Sequence, residues 1–564
     1  MNWIIKSRSK DELILSNTSL ITQIYKNRGV EPNEDLSYPL QNLLHFKTLT
    51  DIEKVSERLY LALRKKEKIK IIGDYDTDGA TSTSLMVTAL KAFGFSNISF
   101  AVPDRFKYGY GLTSKLIKDL DKENIDLIIT VDNGIASHEG VDYANEQKID
   151  VIITDHHLAG DQLPNAFAIV NPNQANDSFE SNYLAGVGVA FYVLLGLRDY
   201  LKKKEHQPLP NMKQYLDLVA LGTIADLVPL DYNNRILVYH GLEQIRNDKT
   251  RPGIRSLLNV SKKSPGNIVA SDFGFLIAPK LNAAGRLDDM TIGINCLISD
   301  DKQHAHMFAN ELQNLNEHRK NIDQNMQLQA LKFVDNIRNL DEKNVIVLYH
   351  PEWHEGVIGI VASKIKEKYH RPTFIFAKNE QYLKASARSI PGINLKDVLT
   401  YLASTNPDLL KGYGGHAMAA GLSIDHNDYE KFSNAMNKVM TKFMKKEYLQ
   451  KIFWSDGKLD ESQIHMNHAL SIEAGGPWGQ GFEEPIFHGN FKLLQVKALS
   501  NGKHGAYTLT TKSGSKIFDG IYFNVSPDQF KGIREVLIIY QLKVNRFNHR
   551  TKLQLQILAM KPIS

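Results

Sequence analysis

The stretch Lys68–Gly79, which reads KIKIIGDYDTDG, places three aspartates directly after a short apolar strand. Asp74, Asp76 and Asp78 lie two residues apart, and carboxylates so close together repel one another unless a cation lies among them. The spacing also matches the first half of an EF-hand loop, which requires a glutamate at about its twelfth position. That position is Leu85, and a strand rather than a helix precedes the loop, so the calcium-sensor interpretation fails.

The pattern of an apolar strand followed by acidic residues occurs twice more. Asp132 follows the strand Ile125–Val131, and Asp155 follows the strand Ile149–Thr154 and begins an Asp-His-His sequence. Each aspartate alone could be an ordinary helix cap. Short apolar strands that alternate with helices, however, predict a mainly parallel sheet whose strands end at one edge, where these groups would meet.

The residue types at this edge favour particular metals. Carboxylates with imidazole and no thiolate suit Mg²⁺ or Mn²⁺ better than zinc. So many acidic groups predict two ions, and a two-metal site activates water and stabilises the leaving oxygen in phosphoryl hydrolysis. The residues alone therefore predict a metal-dependent phosphodiesterase.

Five segments of different character follow one another along the 564 residues. Residues 1–48 carry few signals and are predicted to be a lead-in, and residues 49–300 contain the alternating strands and helices. Residues 301–339 read as one long polar helix without glycine or proline, which we interpret as a connector. Residues 340–448 form a second α/β unit, and residues 449–564 contain short strands that predict a small barrel of the OB type.

Charge and cysteine content restrict the class of protein. The 68 basic residues nearly balance the 63 acidic ones, but residues 497–564 contain eleven Lys or Arg against three Asp or Glu. That excess of eight suits a phosphate backbone, although a solvated surface is the commoner reason for it. Cys296 is the only cysteine, which excludes an internal disulfide and fits a reducing cytoplasm. The sequence shows no signal peptide and no bilayer-spanning stretch, so no membrane partner is expected.

Several motifs resemble those of the DHH phosphoesterase family. DYDTDG, VDNG and DHH are similar to its first three motifs, and GTIAD at residues 222–226 is similar to its fourth. Five further stretches resemble sequences of the RecJ exonucleases within this family: Ala278–Arg286, Trp353–Ser363, Ala385–Ser389, Gly414–Gly421 and Gly476–Gly481. The resemblance implies an α/β fold with a DHH-type parallel-sheet domain and a DHH-associated α/β domain joined by a long helix, plus a C-terminal OB-like β-barrel.

The resemblance assigns residues to a metal centre. It implies two divalent cations, Mn²⁺ or Mg²⁺, with these ligands: Asp74, Asp76, Asp78, Asp132, His156 and Asp226. Many smaller family members have a histidine shortly before the paired aspartates, and Asp74 takes that place here. Asp155 would orient His156, and His157 would contact the scissile phosphate.

RecJ enzymes degrade single-stranded DNA from the 5′ end to mononucleotides, so the resemblance also implies a pocket for the terminal phosphate. The matching residues are Arg105, Arg286, Ser386, Arg388 and His416. Arginine suits this role because its planar guanidinium binds phosphate oxygens in pairs. His416 lies on a glycine-rich stretch that could equally be a tight turn.

Further expectations follow from the resemblance alone. It implies a cytoplasmic monomer that acts in DNA recombination and repair, with a single-strand-binding protein and a RecQ-type helicase as partners. The predicted barrel would hold DNA by charge and by stacking on some of its aromatic residues, most of which would instead be core: Tyr507, Phe518, Tyr522, Phe523 and Phe547.

Two alternative functions remain. Other DHH phosphodiesterases cleave short oligonucleotides or cyclic dinucleotides, but those chains generally lack a basic barrel. An inactive DNA-binding scaffold would be expected to have lost metal ligands, whereas all the expected ones are present.

Overall fold

The computed structural model of the protein describes residues 3–8, 19–30, 36–104, 107–120, 123–205, 208–337, 339–340, 343–499, 502–547 and 550–563. The chain divides into two compact units. The larger unit comprises Arg8–Asn314 and Ser455–Ser564, and the smaller unit comprises Met1–Ser7 and Leu315–Trp454.

Helices and strands are numbered along the chain. The helices are α1 (Leu20–Asn27), α2 (Ile52–Lys65), α3 (Thr77–Ala92), α4 (Ser114–Leu120), α5 (His138–Glu146), α6 (Gly186–Lys204), α7 (Leu216–Ala225), α8 (Tyr232–Arg246), α9 (Pro252–Val260), α10 (Ala270–Asp272), α11 (Ala278–Leu287), α12 (Thr291–Ile298), α13 (Lys302–Asp335), α14 (Ile358–Tyr369), α15 (Leu395–Thr405), α16 (Tyr429–Phe443) and α17 (Met466–Ala474). The strands are β1 (Trp3–Ser7), β2 (Ile69–Ile72), β3 (Ile98–Ala101), β4 (Leu127–Val131), β5 (Asp150–Thr154), β6 (Ala168–Val170), β7 (Ile346–Tyr349), β8 (Thr373–Lys378), β9 (Leu383–Arg388), β10 (Gly412–Gly415), β11 (Ala419–Ile424), β12 (Lys451–Ser455), β13 (Phe487–Leu499), β14 (His504–Thr510), β15 (Ile517–Tyr522), β16 (Glu535–Phe547) and β17 (Arg550–Pro562).

The larger unit contains the predicted parallel sheet, with the strand order β3-β2-β4-β5-β6. Its central strands are buried over almost their whole length, which explains why they are continuous apolar runs. The chain passes from β2 outward to β3 and then back across β2 to β4. The strand order therefore reverses between β2 and β4, and a crevice opens there at the carboxyl ends of the strands.

Helix α3 covers one face of this sheet and begins earlier than its apolar pattern suggests. The sequence predicts a helix from Thr81, but the structure starts α3 at Thr77 because the Asp76 side chain caps it. Asp76 accepts a hydrogen bond from the N–H of Gly79 at 3.0 Å. The acidic residues that follow β2 thus lie within the first turn of a buried helix.

A closed five-stranded barrel forms the C-terminal part of the larger unit, as predicted, with the order β13-β14-β15-β17-β16. A parallel pairing of β15 with β17 closes the ring, and all other pairs are antiparallel. Tyr507 and Phe518 are core residues, whereas Phe523 is 45% exposed with its ring edge-on to His504. The side chain of Phe547 lies outside the described residues.

Residues of the predicted lead-in are built into the two units. Strand β1 pairs with β12 in the smaller unit. In the larger unit, Leu20 and Ile24 of α1 join the apolar cluster that fills the barrel and its neighbour α17. Arg28, at the end of α1, forms an ion pair with Asp456 at 2.5 Å, and their side chains are only 2% and 0% exposed.

The smaller unit has a mixed sheet with the order β10-β11-β9-β8-β7, in which only β7 and β8 run parallel. Phe374, Phe376 and Phe432 lie in the core on one side of this sheet. The helix predicted over residues 301–339 is α13, and its residues Met326 and Ala330 join a second core cluster in this unit.

Two further findings concern the apolar character of the helices and the environment of the single cysteine. Across the described ranges, no helix is both long and apolar enough to cross a bilayer. Cys296 lies fully buried on α12, and burial raises the pKa of its thiol to about 12.

Arg28→Met is expected to lower the free energy of unfolding of the larger unit by about 3–5 kcal/mol, because it leaves the buried Asp456 carboxylate without its cation. Urea unfolding followed by tryptophan fluorescence measures this change. The control is Arg8→Met, which removes the partner of the half-exposed Glu483 and should cost about 0–1 kcal/mol. Equal losses in the two variants would contradict the role of the Arg28 ion pair.

Candidate metal centre

The loop between β2 and α3 presents its carboxylates through tight backbone packing. A Cβ atom at Gly79 would lie 2.4 Å from the carbonyl oxygen of Asp74, so only glycine allows the helix to start so close to the strand end. Asp78 is buried, and its two carboxylate oxygens accept hydrogen bonds from the N–H groups of Gly186 and Val187 at 2.6 and 3.0 Å. The first turn of α6 therefore holds Asp78 in a fixed orientation.

Asp132 follows β4 in a conformation that few residues adopt. Its φ of 61° lies in the left-handed region, where aspartate and asparagine are less disfavoured than other side chains. Its carboxylate is buried against the start of α6, where a Cβ atom at Gly186 would lie 2.5 Å from the Asp132 Cβ. Oδ1 of Asp132 is buried, accepts no hydrogen bond from a described residue, and lies 3.1 Å from Nε2 of His156.

Asp155 follows β5 and organises the two histidines after it. Its Oδ1 accepts hydrogen bonds from the N–H groups of His156 and His157 at 2.7 and 3.1 Å. The same oxygen lies 2.7 Å from Nδ1 of His157, and Oδ2 accepts from the N–H of Ile135 at 2.9 Å. The sequence led us to expect Asp155 to orient the ring of His156, whereas the ring that it holds by this contact is that of His157.

Charge interactions set the protonation of this Asp-His pair. Burial alone would lower the pKa of His157, but the hydrogen bond and the charge of Asp155 raise it to about 9. Burial alone would raise the pKa of Asp155, and the hydrogen bond from His157 lowers it. In the metal-free protein, the contact with Asp155 therefore favours the protonated form of His157.

Asp226 completes the centre from a different direction. It is the C-cap residue of α7, and its Oδ2 lies 3.5 Å from Nε2 of His156. Nε2 of His156 also lies 3.9 Å from Oδ2 of Asp78. The His156 imidazole thus lies between carboxylates supplied by β4, α3 and α7.

The predicted metal ligands come together in three overlapping groups whose ligand atoms lie within 4.8 Å of one another. The groups are Asp74, Asp76 and Asp132; Asp78, His156 and Asp226; and Asp132, His156 and His157. The first two groups share no residue but adjoin through Asp132 and His156, which lie 3.1 Å apart, so the arrangement fits two neighbouring cations rather than one. Every residue predicted as a ligand lies in at least one group.

The electrostatics of the cluster also fit a metal centre. Burial, followed by repulsion from Asp78 and Asp76, raises the pKa of Asp132 well above its usual range. Burial and the charge of Asp76 raise the pKa of Asp78 to about 7. Burial and the charges of Asp78 and Asp76 likewise raise the pKa of Asp226. Divalent cations would relieve this repulsion and keep the carboxylates ionised.

Tyr110 is a residue of this centre that the sequence analysis missed. Its hydroxyl donates to the backbone carbonyl of Asp132 at 3.2 Å and lies 3.4 Å from Nε2 of His157. Gly109 and Gly111 on either side have φ values of 84° and 73°, a conformation that favours glycine. The Gly-Tyr-Gly sequence is the signal that could have identified a loop built to hold this side chain.

The predicted phosphate-binding residues are distributed over both units. Arg286 lies on α11 in the larger unit, and Arg105 lies outside the described residues. In the smaller unit, Nη1 of Arg388 donates to Oγ of Ser386 at 3.0 Å on β9. His416 lies in the exposed turn that joins β10 to β11, and β11 pairs directly with β9.

Three segments of the chain match known families. Residues 68–223 match the DHH family, N-terminal domain, residues 342–442 match the DHHA1 domain, and residues 455–559 match the RecJ OB domain. The fold and the acidic centre therefore define a protein of the DHH phosphoesterase class.

Comparison with individual proteins shows which family within this class the chain belongs to. The chain is 44% identical to the single-stranded-DNA-specific exonuclease RecJ of Salmonella typhimurium and 43% identical to that of Escherichia coli, over 96% of both chains in each case. It is also similar to the crystal structure of RecJ in complex with Mn²⁺ from Thermus thermophilus, with a TM-score of 0.81 and 29% identity. That match covers 96% of this chain and 76% of the Thermus chain. The chain belongs to the RecJ family.

Asp132→Asn is expected to stabilise the metal-free protein and to abolish its stabilisation by Mn²⁺. The substitution removes one buried negative charge but keeps a residue that tolerates the left-handed backbone. Thermal unfolding in EDTA and in excess Mn²⁺ measures both effects; for the wild type, metal at 100 times its Kd should add about 2.7 kcal/mol.

The matched control for this experiment is Asp199→Asn, which removes an aspartate of a surface ion pair on α6. It should leave the response to Mn²⁺ unchanged. A lower melting temperature of Asp132→Asn in EDTA would mean that repulsion within the cluster does not limit the stability of the metal-free state.

Proposed function

We propose that the chain is a 5′-to-3′ exonuclease that hydrolyses single-stranded DNA to mononucleotides with two Mn²⁺ or Mg²⁺ ions. The main support is the overlapping set of carboxylate and imidazole groups at the carboxyl ends of the parallel strands. The chain is also similar over almost its whole length to single-stranded-DNA-specific exonucleases. Crystal structures of RecJ from Thermus thermophilus are in complex with Mn²⁺ in one case and with Mg²⁺ in another.

The residues divide naturally between two cation positions. Asp74, Asp76 and Asp132 would hold one ion, and Asp78, His156 and Asp226 would hold the other. When bound, two such ions activate a water molecule and stabilise the leaving oxygen. The protein contributes the fixed positions of these ligands, because Asp78 is held by α6 and Asp132 by its own backbone conformation.

His157 would supply a positive charge to the centre, because its contact with Asp155 favours the protonated ring. Asp155 holds the Nδ1 side of the ring, and Nε2 points into the centre beside the Tyr110 hydroxyl. A protonated His157 can donate from Nε2 to a non-bridging oxygen of the scissile phosphate as negative charge develops there. Asp155, His156, His157 and Asp132 are the residues to which we assign the catalytic step.

The 5′ polarity would come from the phosphate pocket. From the family resemblance we assign contacts with the terminal phosphate to these residues: Arg286, Ser386, Arg388, His416 and Arg105. The hydrogen bond between Arg388 and Ser386 supports the assignment, because it orients the guanidinium on a rigid strand. The closed, basic barrel would bind the rest of the strand through charge and through the exposed ring of Phe523.

The cellular setting is proposed from the family resemblance. We infer a cytoplasmic monomer that acts in DNA recombination and repair. A single-strand-binding protein would present the substrate, and a RecQ-type helicase would produce it from duplex DNA.

One single-stranded oligonucleotide, labelled at its 5′ end or at its 3′ end and incubated with Mn²⁺, tests the activity. The 5′ label is expected to appear early as a mononucleotide, while the 3′-labelled strand shortens progressively. Shortening from the 3′ end, or cleavage of dinucleotides only, would refute the proposed polarity or substrate.

Asp132→Asn is the matched inactive variant for this assay. Its rate should fall by at least about 100-fold because one ligand charge is lost from the metal centre, while its affinity for the strand, measured by fluorescence anisotropy, should change little. A parallel loss of strand affinity would mean that the cations mainly hold DNA rather than perform the chemistry.

A further inference from the structure

Helix α11 lies directly against the acidic loop that follows β2. It carries the sequence APKLNAAGRL, and of these residues the proposed phosphate pocket uses only Arg286. Gly285 and Arg286 follow Asn282 by three and four residues, so each of them lies next to Asn282 on the helix surface. Asn282 and Gly285 contact the loop.

Asn282 binds the loop between two of the proposed metal ligands. Its Oδ1 accepts hydrogen bonds from both the backbone N–H and the Oγ1 hydroxyl of Thr77, each at 2.8 Å. Thr77 is buried, and it lies between Asp76 and Asp78 in the first turn of α3. The N–H groups of a first helical turn have no partner within the helix, so Asn282 supplies one from another element.

Gly285 brings the helix and loop backbones into direct contact. A Cβ atom at this position would lie 1.8 Å from the carbonyl oxygen of Tyr75, so any side chain here would push the two elements apart. Because the contact is between backbones, a displacement of α11 would be transmitted to the loop rather than absorbed by flexible side chains.

We propose that Asn282 is a positioning residue that couples binding of the 5′-terminal phosphate at Arg286 to the placement of Asp76 and Asp78. This inference rests on the proposed function. Phosphate binding fixes α11 through Arg286, and α11 fixes the loop through Asn282. A strand with a 5′ phosphate is therefore cleaved by a better-ordered metal centre than a strand with a 5′ hydroxyl.

The test compares kcat/KM for two strands that differ only in a 5′ phosphate or a 5′ hydroxyl. The wild type should prefer the phosphorylated strand, and Asn282→Ala should reduce that preference by at least about fivefold. Asn282→Asp keeps an acceptor for Thr77 and should retain most of the preference. If Asn282→Ala slows both strands by the same factor, Asn282 only supports the fold of the loop, and the inference is wrong.

Two further variants separate the possible failures. Lys280→Met removes a buried contact of the same helix, to Ser261 and to the carbonyl of Leu276, and should lower the melting temperature without changing the preference. Arg286→Gln should abolish the preference. If Arg286→Gln keeps the preference for the 5′ phosphate, the phosphate pocket of the proposed function is wrong, and the coupling is refuted with it. If Arg286→Gln abolishes the preference but Asn282→Ala does not change it, the pocket is supported and only the coupling is refuted.

Discussion

Repulsion among buried carboxylates at the carboxyl ends of β2 and β4 is the constraint around which the larger unit is organised. Burial and mutual repulsion raise the pKa values of Asp78, Asp132 and Asp226, so the cluster costs stability in the absence of cations. Surrounding elements hold the groups in place against that repulsion. Two N–H groups of α6 bind Asp78, and Asn282 of α11 fixes the loop beside it. The metal-free fold is therefore less stable than it would be without these charges, but its ligands are already positioned to bind divalent ions.

The elements of the metal centre could be predicted from sequence because parallel strands impose a common edge. Asp74, Asp132 and Asp155 each follow an apolar strand, and the order of β2, β4 and β5 brings the ends of those strands together. No such rule covers contacts between elements distant in the chain. The pairing of Asp155 with the ring of His157, the hydroxyl of Tyr110 over Asp132 and the bond of Asn282 to Thr77 depend on loop conformations that periodicity does not encode.

The contacts of the N-terminal residues likewise could not be predicted from the local sequence pattern. Leu20 and Ile24 provide too little apolar periodicity to predict a helix, yet they complete a core whose other members lie more than 400 residues later in the chain. Leu20 and Ile24 can be buried only when the barrel and α17 have formed, because those elements supply the rest of this core. Likewise, the predicted start of α3 is too late because its first turn contains capping and acidic residues rather than apolar ones.

The burial of Cys296 has a practical consequence for observing this protein at work. Burial shields this thiol and raises its pKa to about 12, and both effects disfavour reaction with maleimides in the folded state. Since the chain has no other cysteine, one introduced on an exposed surface would carry a fluorophore at a single defined position without removal of the native residue. This chain is therefore suited to single-molecule fluorescence measurements.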